Sequence, residues 1–447
     1  MTPGRTRRSL RSFRSLGSRG ISGRLSLPGD KSIAHRCVIL SSLCCSPVTL
    51  HNFPYNEDCC ASIEVFKKLG VRFRLRPSAV SVSGNGLRGL KPCREAIKIN
   101  ESGTTFRLML GVLSGQDFST ALTAGSGLSR RPMLRVTALL RRMGADIRAR
   151  KEKEDEFAPV TVGAGKDGLK GMRFTTALPS AQVKSALLLA GLYARGKTAV
   201  TERTLTRDHT ERMLKVFKAG VSVKGKTITV AGGRELRAPA EITIPGDISS
   251  AAFFITAACI LPSSRIVIEK VGLNPTRMGM VRVLERMGGR IKVKPSKKRG
   301  GMEPSGTITV CSSRLKATVV KQDEIPSLID ELPVLMVAAA CASGTTVFQG
   351  VGELRVKETD RIASMLANLK AMGVTSALIR SRGREDVAIE GVQRLEGARV
   401  RSFGDHRTAM SMVIAALKAR GVTRIDDISC INKSFPGFLK ELSKLRK

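Results

Sequence analysis

The string Leu27-Pro28-Gly29-Asp30-Lys31-Ser32 returns, nearly unchanged, as Ile244-Pro245-Gly246-Asp247-Ile248-Ser249. Each copy comes just before an apolar stretch of helical length, which indicates the same supersecondary unit at two places in the chain. A chain of 447 residues is also too long for one compact core. The repeated string therefore predicts two similar domains, with the chain crossing between them at each copy and a ligand cleft in between.

A second repeat subdivides these domains. Helix-like segments that end in an apolar residue and Gly recur, at Gly70, Gly144, Gly220, Gly288 and Gly373, and a sixth segment, Phe438 to Leu445, ends the chain. Glycine just past a helix is the usual C-cap, because it enters the left-handed backbone region at little cost. The separations of 74, 76, 68 and 85 residues predict six units, three in each domain.

These repeats predict an α/β fold with two lobes. The first lobe is expected to contain residues 21–29 and 246–447, and the second lobe residues 30–245. Residues 1–20 hold six Arg and no acid, which predicts a disordered basic tail; a short organellar targeting peptide has a similar composition and remains the alternative.

Composition limits the classes of partner and the compartment. The net charge of +39 favours acidic substrates, nucleic acid or an anionic surface. The sequence contains no run of eighteen apolar residues, so we expect neither a membrane span nor a secretory signal. The ten Cys include no Cys-x-x-Cys pair, which favours free thiols and a cytoplasmic location, and no residue cluster has metal-ligand spacing.

Four basic strings mix cations with acids or hydroxyls beside apolar sequence. Arg binds phosphate and carboxylate oxygens in bidentate fashion, Lys acts as a mobile point charge, and carboxylates among them can move protons. This mixture favours an enzyme for small, multiply anionic substrates over a merely solvated surface. The strings are Asp30 to Arg36, Arg355 to Arg361, Gly404 to Arg407 and Asn432 to Pro436.

Several candidate residues are predicted to lie at helix starts, where backbone N–H groups bind anions. Such starts are Asn100 to Arg107, Pro179 to Ser185, Asp330-Glu331, and His406-Arg407. Considered alone, Asn100 to Arg107 and Asp330-Glu331 are better explained by ordinary helix capping. The string Arg355 to Arg361 is predicted to be helical, with Lys357 and Arg361 four residues apart on one face, and a surface salt-bridge ladder is the competing interpretation.

Together these strings resemble the 5-enolpyruvylshikimate-3-phosphate synthase family of enolpyruvyl transferases. The resemblance runs from about Ile21 to Leu445 and also includes Leu128 to Met133, Thr206 to Leu214 and Ile325 to Leu332. It implies two domains, each built from three βαβαββ units around a pseudo-threefold axis, in an inside-out barrel. It implies transfer of the enolpyruvyl group of phosphoenolpyruvate to the 5-hydroxyl of shikimate 3-phosphate, with release of phosphate through a tetrahedral intermediate and without cofactor or metal.

The resemblance also assigns site residues in this chain. Its catalytic candidates are Asp330 as base, Glu358 with Lys31 for proton transfer at carbon, and His406. The positions implied for shikimate 3-phosphate are Lys31, Ser32, Arg36, Ser180, Ala181, Gln182, Thr206, Asp330 and Lys357. Those implied for phosphoenolpyruvate are Lys31, Gly103, Arg131, Gln182, Arg361, Arg407 and Lys433.

The sequence departs from the family pattern at three positions. Glu101 stands where Asn is frequent, and Glu353 replaces an Asn that contacts shikimate in some members. A carboxylate at either place would repel anionic substrates unless it is turned away or paired with Arg. Thr206 replaces the usual Ser, a milder change, whereas Gly103 matches the form of the loop that implies sensitivity to glyphosate.

Two other functions remain as alternatives. The sister transferase that acts on UDP-N-acetylglucosamine shares the repeat fold, but it uses a Cys loop and lacks the Lys-Glu-Thr-Asp-Arg string. A basic nucleic-acid-binding protein would explain the charge, although only 4% of the residues are aromatic and available for base stacking. We expect small-molecule substrates, no specific nucleic acid, no membrane association and a monomer.

Overall fold

A computed structural model describes residues 13–15, 17–296, 302–381 and 383–446. This part of the chain forms twelve α-helices and twenty-three β-strands. The helices are α1 (Lys31–Ser42), α2 (Glu57–Lys68), α3 (Gly103–Leu113), α4 (Leu134–Arg142), α5 (Ala181–Gly191), α6 (His209–Val216), α7 (Ile248–Ile260), α8 (Gly279–Arg286), α9 (Leu332–Ala340), α10 (Arg361–Ala371), α11 (His406–Lys418) and α12 (Phe438–Leu445).

The strands are short, and most lie in four-stranded sheets. They are β1 (Phe13–Ser15), β2 (Ser22–Ser26), β3 (Val48–His51), β4 (Arg72–Arg76), β5 (Ala79–Ser83), β6 (Ile97–Lys98), β7 (Thr120–Thr123), β8 (Ala145–Glu152), β9 (Asp155–Ala164), β10 (Arg173–Thr176), β11 (Lys197–Glu202), β12 (Gly220–Lys224), β13 (Thr227–Ala231), β14 (Glu241–Thr243), β15 (Arg265–Gly272), β16 (Arg290–Pro295), β17 (Ser305–Cys311), β18 (Val319–Val320), β19 (Thr345–Phe348), β20 (Ser376–Ser381), β21 (Arg384–Glu390), β22 (Arg399–Val400) and β23 (Thr423–Ile425).

Six chain segments from β2 onward repeat the order strand, helix, strand, helix and, in the first five, a closing hairpin. Each of the five four-stranded sheets has one parallel pair followed by two antiparallel pairs, as in β6-β7-β9-β8 and β18-β19-β21-β20. The sixth unit lacks the hairpin, and β1 instead pairs antiparallel with β23. The predicted fold class of repeated βαβαββ units is therefore confirmed.

The Pro-Gly-Asp strings lie where the chain exchanges strands between the sheets. Strand β2 pairs in parallel with β15, while β14 pairs in parallel with β3, so each crossing closes a sheet begun elsewhere in the chain. The Asp30 amide donates to the Pro245 carbonyl at 2.8 Å, and the Asp247 amide donates to the Pro28 carbonyl at 3.0 Å. A Cβ at Gly29 would lie 2.1 Å from the Asn52 carbonyl oxygen, so this close approach requires glycine.

Two hydrophobic cores support these sheets. One contains buried residues between Ile33 and Ile244, and the other contains Ile21, Leu25 and Leu27 together with residues from Ile248 to Leu445. We keep the names second lobe and first lobe for these two bodies. The exact boundaries at residues 30 and 246 remain a prediction.

Helix termination follows the glycine pattern at four of the five positions. Gly70, Gly144, Gly288 and Gly373 have φ between 83° and 104°, the left-handed conformation expected just past a helix. The prediction for Gly220 is wrong, because Lys218 takes the left-handed conformation there, with φ of 55°. Gly220 already pairs with Ala231 in a hairpin, so the turn is completed two residues earlier.

The predicted helix through Lys357 and Arg361 is also wrong. A 3-10 helix ends at Val356, and α10 begins only at Arg361. Asp360 caps α10 by accepting a hydrogen bond from the Ala363 amide at 3.0 Å. A short acidic side chain that bonds to nearby amides favours this N-cap position over a helix interior, which explains the late start.

The predicted tail of residues 1–20 is only partly described. Phe13–Ser15 forms β1 against Thr423–Ile425, so this piece is ordered, because β23 offers it an unpaired edge. Residues 1–12 and 16 lie outside the described part of the chain. None of the described helices is long and apolar enough to cross a membrane.

Candidate active site

A cavity of about 1110 Å³ lies between the two lobes. The first residue of each of five helices lines this cavity, namely α1, α3 and α5 in the second lobe and α10 and α11 in the first lobe. Helix N-termini present free N–H groups and the positive end of the helix dipole, so this arrangement favours anions. The predicted site residues that line the cavity are Lys31, Ser32, Gly103, Arg131, Ser180, Ala181, Gln182, Thr206, Asp330, Lys357, Glu358, Arg361, His406 and Arg407.

The side chains before these helices act as N-caps. Asp30 accepts from the Ile33 amide at 3.0 Å, and Asp405 accepts from the Arg407 amide at 2.7 Å. Ser102 and Ser180 accept from the amides of Thr105 and Val183, both at 3.4 Å. The sequence signals for capping and for an anion site thus apply to the same residues, because capping fixes helix starts that point into the cavity.

Asp330 is surrounded by guanidinium groups. Its carboxylate lies 2.5 Å from Arg207 Nη2, 3.4 Å from Arg407 Nη2 and 3.6 Å from Arg361 Nη1. Burial by itself raises the pKa of Asp330, but Arg407 and Arg207 outweigh it and hold that pKa well below the usual value. Asp330 is therefore ionised at neutral pH and able to accept a proton.

Glu358 is held in a similar way by two arginines. Arg361 Nη2 lies 2.6 Å from its carboxylate, and Arg131 Nη1 lies 3.5 Å away from across the cleft. Burial by itself raises the pKa of Glu358, but Arg361 and Arg131 outweigh that effect and hold the pKa well below the usual value. Glu358 is consequently a carboxylate in the free protein.

Arg361 is fixed from behind by a buried acid. Its Nε donates to Asp405 Oδ2 at 2.8 Å, and the two side chains are 1% and 0% exposed. A buried guanidinium needs such a partner, because an unpaired charge away from water is costly. Asp405 therefore orients Arg361, whose Nη1 makes no hydrogen bond within the described residues and can donate one to a ligand oxygen.

Two lysines differ in their charge state. Lys31 Nζ lies 2.9 Å from Asp58; burial lowers the pKa of Lys31, but Asp58 more than reverses that effect and leaves the pKa raised. Burial lowers the pKa of Lys357 to about 8, although Asp330 and Glu353 oppose the shift. Lys31 is therefore protonated at neutral pH, whereas Lys357 loses its proton just above neutral pH.

His406 is buried, and neither of its ring nitrogens has a hydrogen-bond partner within the described residues. Burial, followed by the positive charge of Lys31, lowers its pKa well below the usual value. The imidazole is therefore neutral and offers one donor and one acceptor to a ligand in the cavity.

Two predicted site residues are not brought to the cavity wall. Arg36 is buried, and its guanidinium donates to the Ser32 carbonyl, Ser185 Oγ and Thr210 Oγ1 at 2.7 to 2.8 Å. It therefore supports the Ser32 segment from inside the second lobe. Lys433 lies beside α11, and its Nζ donates to the Gly404 carbonyl at 3.3 Å, outside the residues that line the cavity.

Sequence reasoning missed several charged residues of the cavity, among them Arg107, Arg207, Asp58 and Arg135. Arg107 donates to Gln182 Oε1 at 2.7 Å, and Arg207 reaches both Asp330 and Ser32. Both belong to strings that the sequence analysis used, so an Arg within such a string was the available signal. Asp58 and Arg135 carry no comparable signal, because their partners Lys31 and Glu353 are 27 and 218 residues away.

The carboxylates of Glu101 and Glu353, which depart from the family pattern, both have partners within the protein. Glu101 accepts hydrogen bonds from the Gly127 and Leu128 amides at 3.1 and 2.8 Å, which turns its charge toward backbone donors. Glu353 lies 2.9 Å from Arg135 Nη1. The structure therefore meets both conditions under which these acids would be compatible with anionic ligands.

Comparisons with known proteins agree with this geometry. A family model described as EPSP synthase (3-phosphoshikimate 1-carboxyvinyltransferase) matches residues 17–442. Proteins named 3-phosphoshikimate 1-carboxyvinyltransferase from Bacillus cereus and Shouchella clausii are 43% identical over 429 and 427 residues, which cover 96% of this chain and 97% of each relative. The solved structure of EPSP synthase from Acinetobacter baumannii superposes with a TM-score of 0.85 at 38% identity and covers 98% of both chains.

Proposed function

This chain belongs to the EPSP synthase family, and on that premise we infer that it is a 3-phosphoshikimate 1-carboxyvinyltransferase of the shikimate pathway. It transfers the enolpyruvyl group of phosphoenolpyruvate to the 5-hydroxyl of shikimate 3-phosphate and releases phosphate. The observation that carries this function is the common cavity of Lys31, Arg131, Arg361 and Arg407, which brings four cations around two acids. Two substrates that carry phosphates and carboxylates need such a cage to offset their mutual repulsion.

We propose that shikimate 3-phosphate binds on the second-lobe side of the cavity. The starts of α1 and α5 supply Ser32, Ser180 and Gln182 there, and Thr206 lies beside them. Arg207 is a further donor for this substrate, since it already contacts Ser32 and Asp330. Phosphoenolpyruvate then lies against the arginines and Lys31, near Gly103 and the start of α11.

Asp330 is proposed as the base of the addition step. It takes the proton of the 5-hydroxyl while that oxygen bonds to C2 of phosphoenolpyruvate and C3 gains a proton. Its ionised state in the free protein supports this role, because the arginine environment keeps it unprotonated at neutral pH. The guanidinium cage stabilises the charge on the tetrahedral intermediate, and lobe closure excludes water.

Glu358 and Lys31 are proposed to exchange the proton at C3. In the free protein Arg361 and Arg131 hold Glu358 ionised. When phosphoenolpyruvate binds these arginines, part of that stabilisation passes to the ligand and the pKa of Glu358 rises. A protonated Glu358 can then supply the C3 proton, with Lys31 as the neighbouring cation, and the carboxylate takes a proton back from the methyl group as phosphate leaves.

Phosphate release with both substrates tests this function directly. We expect release that depends on phosphoenolpyruvate and shikimate 3-phosphate together, and none when UDP-N-acetylglucosamine replaces the shikimate compound. Release with the nucleotide sugar would identify the sister activity instead. Binding of nucleic acid without any phosphate release would favour the basic binding protein.

We propose further that the enzyme works in the cytoplasm as a monomer that closes about residues 30 and 246. The ten cysteines are free thiols, as a reducing compartment requires. Light scattering measured during size-exclusion chromatography tests the monomer, and small-angle scattering with and without both substrates tests the closure.

A further inference from the structure

Three arginines of the second lobe reach across the cleft to three acids of the first lobe. Arg207 meets Asp330 at 2.5 Å, and Arg131 meets Glu358 at 3.5 Å. The third pair joins Arg135 Nη1 to Glu353 Oε1 at 2.9 Å. Because each pair joins the two lobes, each one stabilises the arrangement in which the cleft is closed.

The first two pairs cannot remain unchanged when substrates bind. Arg131 is a proposed ligand of phosphoenolpyruvate, and Asp330 must receive the proton of the substrate hydroxyl. The third pair involves neither a proposed catalytic group nor a proposed substrate ligand. Of these three pairs, it is therefore the one that can persist in the loaded enzyme.

The surroundings explain why Arg135 needs this partner. Arg135 is the second residue of α4, and Glu353 is its only ion-pair partner among the described residues. Arg107 and Arg131 lie close to Arg135. Burial lowers the pKa of Arg107, and the positive charges of Arg131 and Arg135 lower it further, to about 9. All three arginines belong to the second lobe, so an acid of the first lobe that approaches them on closure lowers their electrostatic energy.

Glu353 is well placed to offset this charge. It lies in the 3-10 helix Gly352–Val356, directly before Lys357 and Glu358, and its side chain is 38% exposed at the cavity wall. Arg135 is 21% exposed, so the pair is at the rim and partly desolvated. Contacts of this kind depend on salt and act chiefly on the geometry of the groups that they join.

On the basis of the proposed function, we propose that Arg135 and Glu353 form a clasp that favours lobe closure and so positions the Lys357-Glu358 segment over bound substrate. They are positioning residues. Without the clasp, a smaller fraction of the free enzyme is closed, and the apparent dissociation constants of both substrates rise. Saturating concentrations of the substrates restore closure. The signature is therefore an increase in KM for both substrates with little change in kcat.

The test is a double-mutant cycle in the full-length enzyme. Arg135→Ala and Glu353→Ala should each raise both KM values by about threefold, within the range of up to about fivefold expected for an exposed ion pair. The double variant should be no worse than the poorer single variant, because both changes remove the same contact. A product of the two single effects in the double variant would overturn the clasp.

The direction in which KM changes in Glu353→Gln distinguishes the clasp from direct binding of substrate by Arg135. The clasp predicts higher KM values for this variant, since it breaks the ion pair. If Arg135 instead binds a substrate anion directly, removal of the competing carboxylate lowers KM and the clasp is refuted. The exchange Arg135→Glu with Glu353→Arg should recover most of the affinity that Arg135→Glu alone loses, and failure to recover it also counts against the clasp.

A matched control pair lies within one lobe. Arg24 Nη1 meets Glu269 Oε1 at 2.7 Å between the paired strands β2 and β15, and both side chains are exposed. Arg24→Ala and Glu269→Ala should leave KM and kcat unchanged, and an equal rise in KM in these controls would overturn the specific role of the clasp. Wild-type enzyme without phosphate release would contradict the proposed function itself, which is a different result from an active enzyme with no coupling between Arg135 and Glu353.

Discussion

Replacement of Asp330 by Asn separates charge from shape at the proposed base. The amide keeps the size of the side chain but cannot accept the proton of the 5-hydroxyl. General base catalysis contributes about 10²–10⁴ in rate, so kcat should fall by that factor, equivalent to about 2.7–5.4 kcal/mol of transition-state stabilisation. The three guanidinium groups within 3.6 Å remain in place, and their positive potential is now less neutralised.

Although kcat falls in Asp330→Asn, the affinity of this variant for its substrates should not decrease. Loss of one negative charge beside Arg207 and Arg407 favours the binding of anions, so the KM values should stay equal or decrease. Phosphate release measured over both substrate concentrations gives kcat and KM separately, and a thermal melt checks the fold. Glu269→Gln, which alters the exposed ion pair with Arg24 outside the residues that line the cavity, is the control. A kcat within threefold of wild type for Asp330→Asn would remove Asp330 from the mechanism, and a large rise in KM would show that it binds substrate instead.

Three further predictions follow from individual residues. Because the folded-state pKa of Lys357 is about 8, kcat/KM for shikimate 3-phosphate should fall as the pH rises through that value, and Lys357→Arg should shift this decline to higher pH; a pH profile identical in the two enzymes would contradict the assignment. Gly103→Ala would place a Cβ 3.0 Å from Arg131 Nη1, so KM for phosphoenolpyruvate should rise about tenfold, near 1.4 kcal/mol, and inhibition by glyphosate should weaken, while KM for shikimate 3-phosphate stays constant. Lys184→Met leaves the buried Glu202 and Glu211 without their shared cation, at 2.8 and 2.7 Å, and should lower the free energy of unfolding by about 3–5 kcal/mol in urea titrations; Lys67→Met, at an exposed pair, should change it by less than about 1 kcal/mol.

The repeated architecture could be predicted from sequence because its signals are local. Gly144 and Gly288 end their helices in the left-handed conformation, and the two Pro-Gly-Asp strings stand at the crossings between sheets. The helix starts at Gly103 and His406 likewise follow from nearby capping residues. In each case the deciding interaction joins residues a few positions apart, so a single sequence contains it.

Local sequence signals also predicted two element boundaries wrongly. The string Arg355 to Arg361 has helical spacing, yet Asp360 caps the next helix and breaks it. Lys218 takes the left-handed position that the pattern assigned to Gly220, since the hairpin with Ala231 fixes where the strand begins. Pairing with another strand decided this boundary, and periodicity does not contain that information.

What the sequence determined was the kind of chemistry and the set of strings that carry it; which charges meet was decided only by the tertiary structure. Arg207 and Asp330 are 123 residues apart, and Arg135 and Glu353 are 218 residues apart, in different lobes. Arg36 belongs to the same string as Lys31, but it turns into the second lobe to bond Ser185 and Thr210. The physical reason is that the pairing of a charge depends on which surfaces packing brings within a few ångströms and how far it removes water, and both are properties of the assembled lobes.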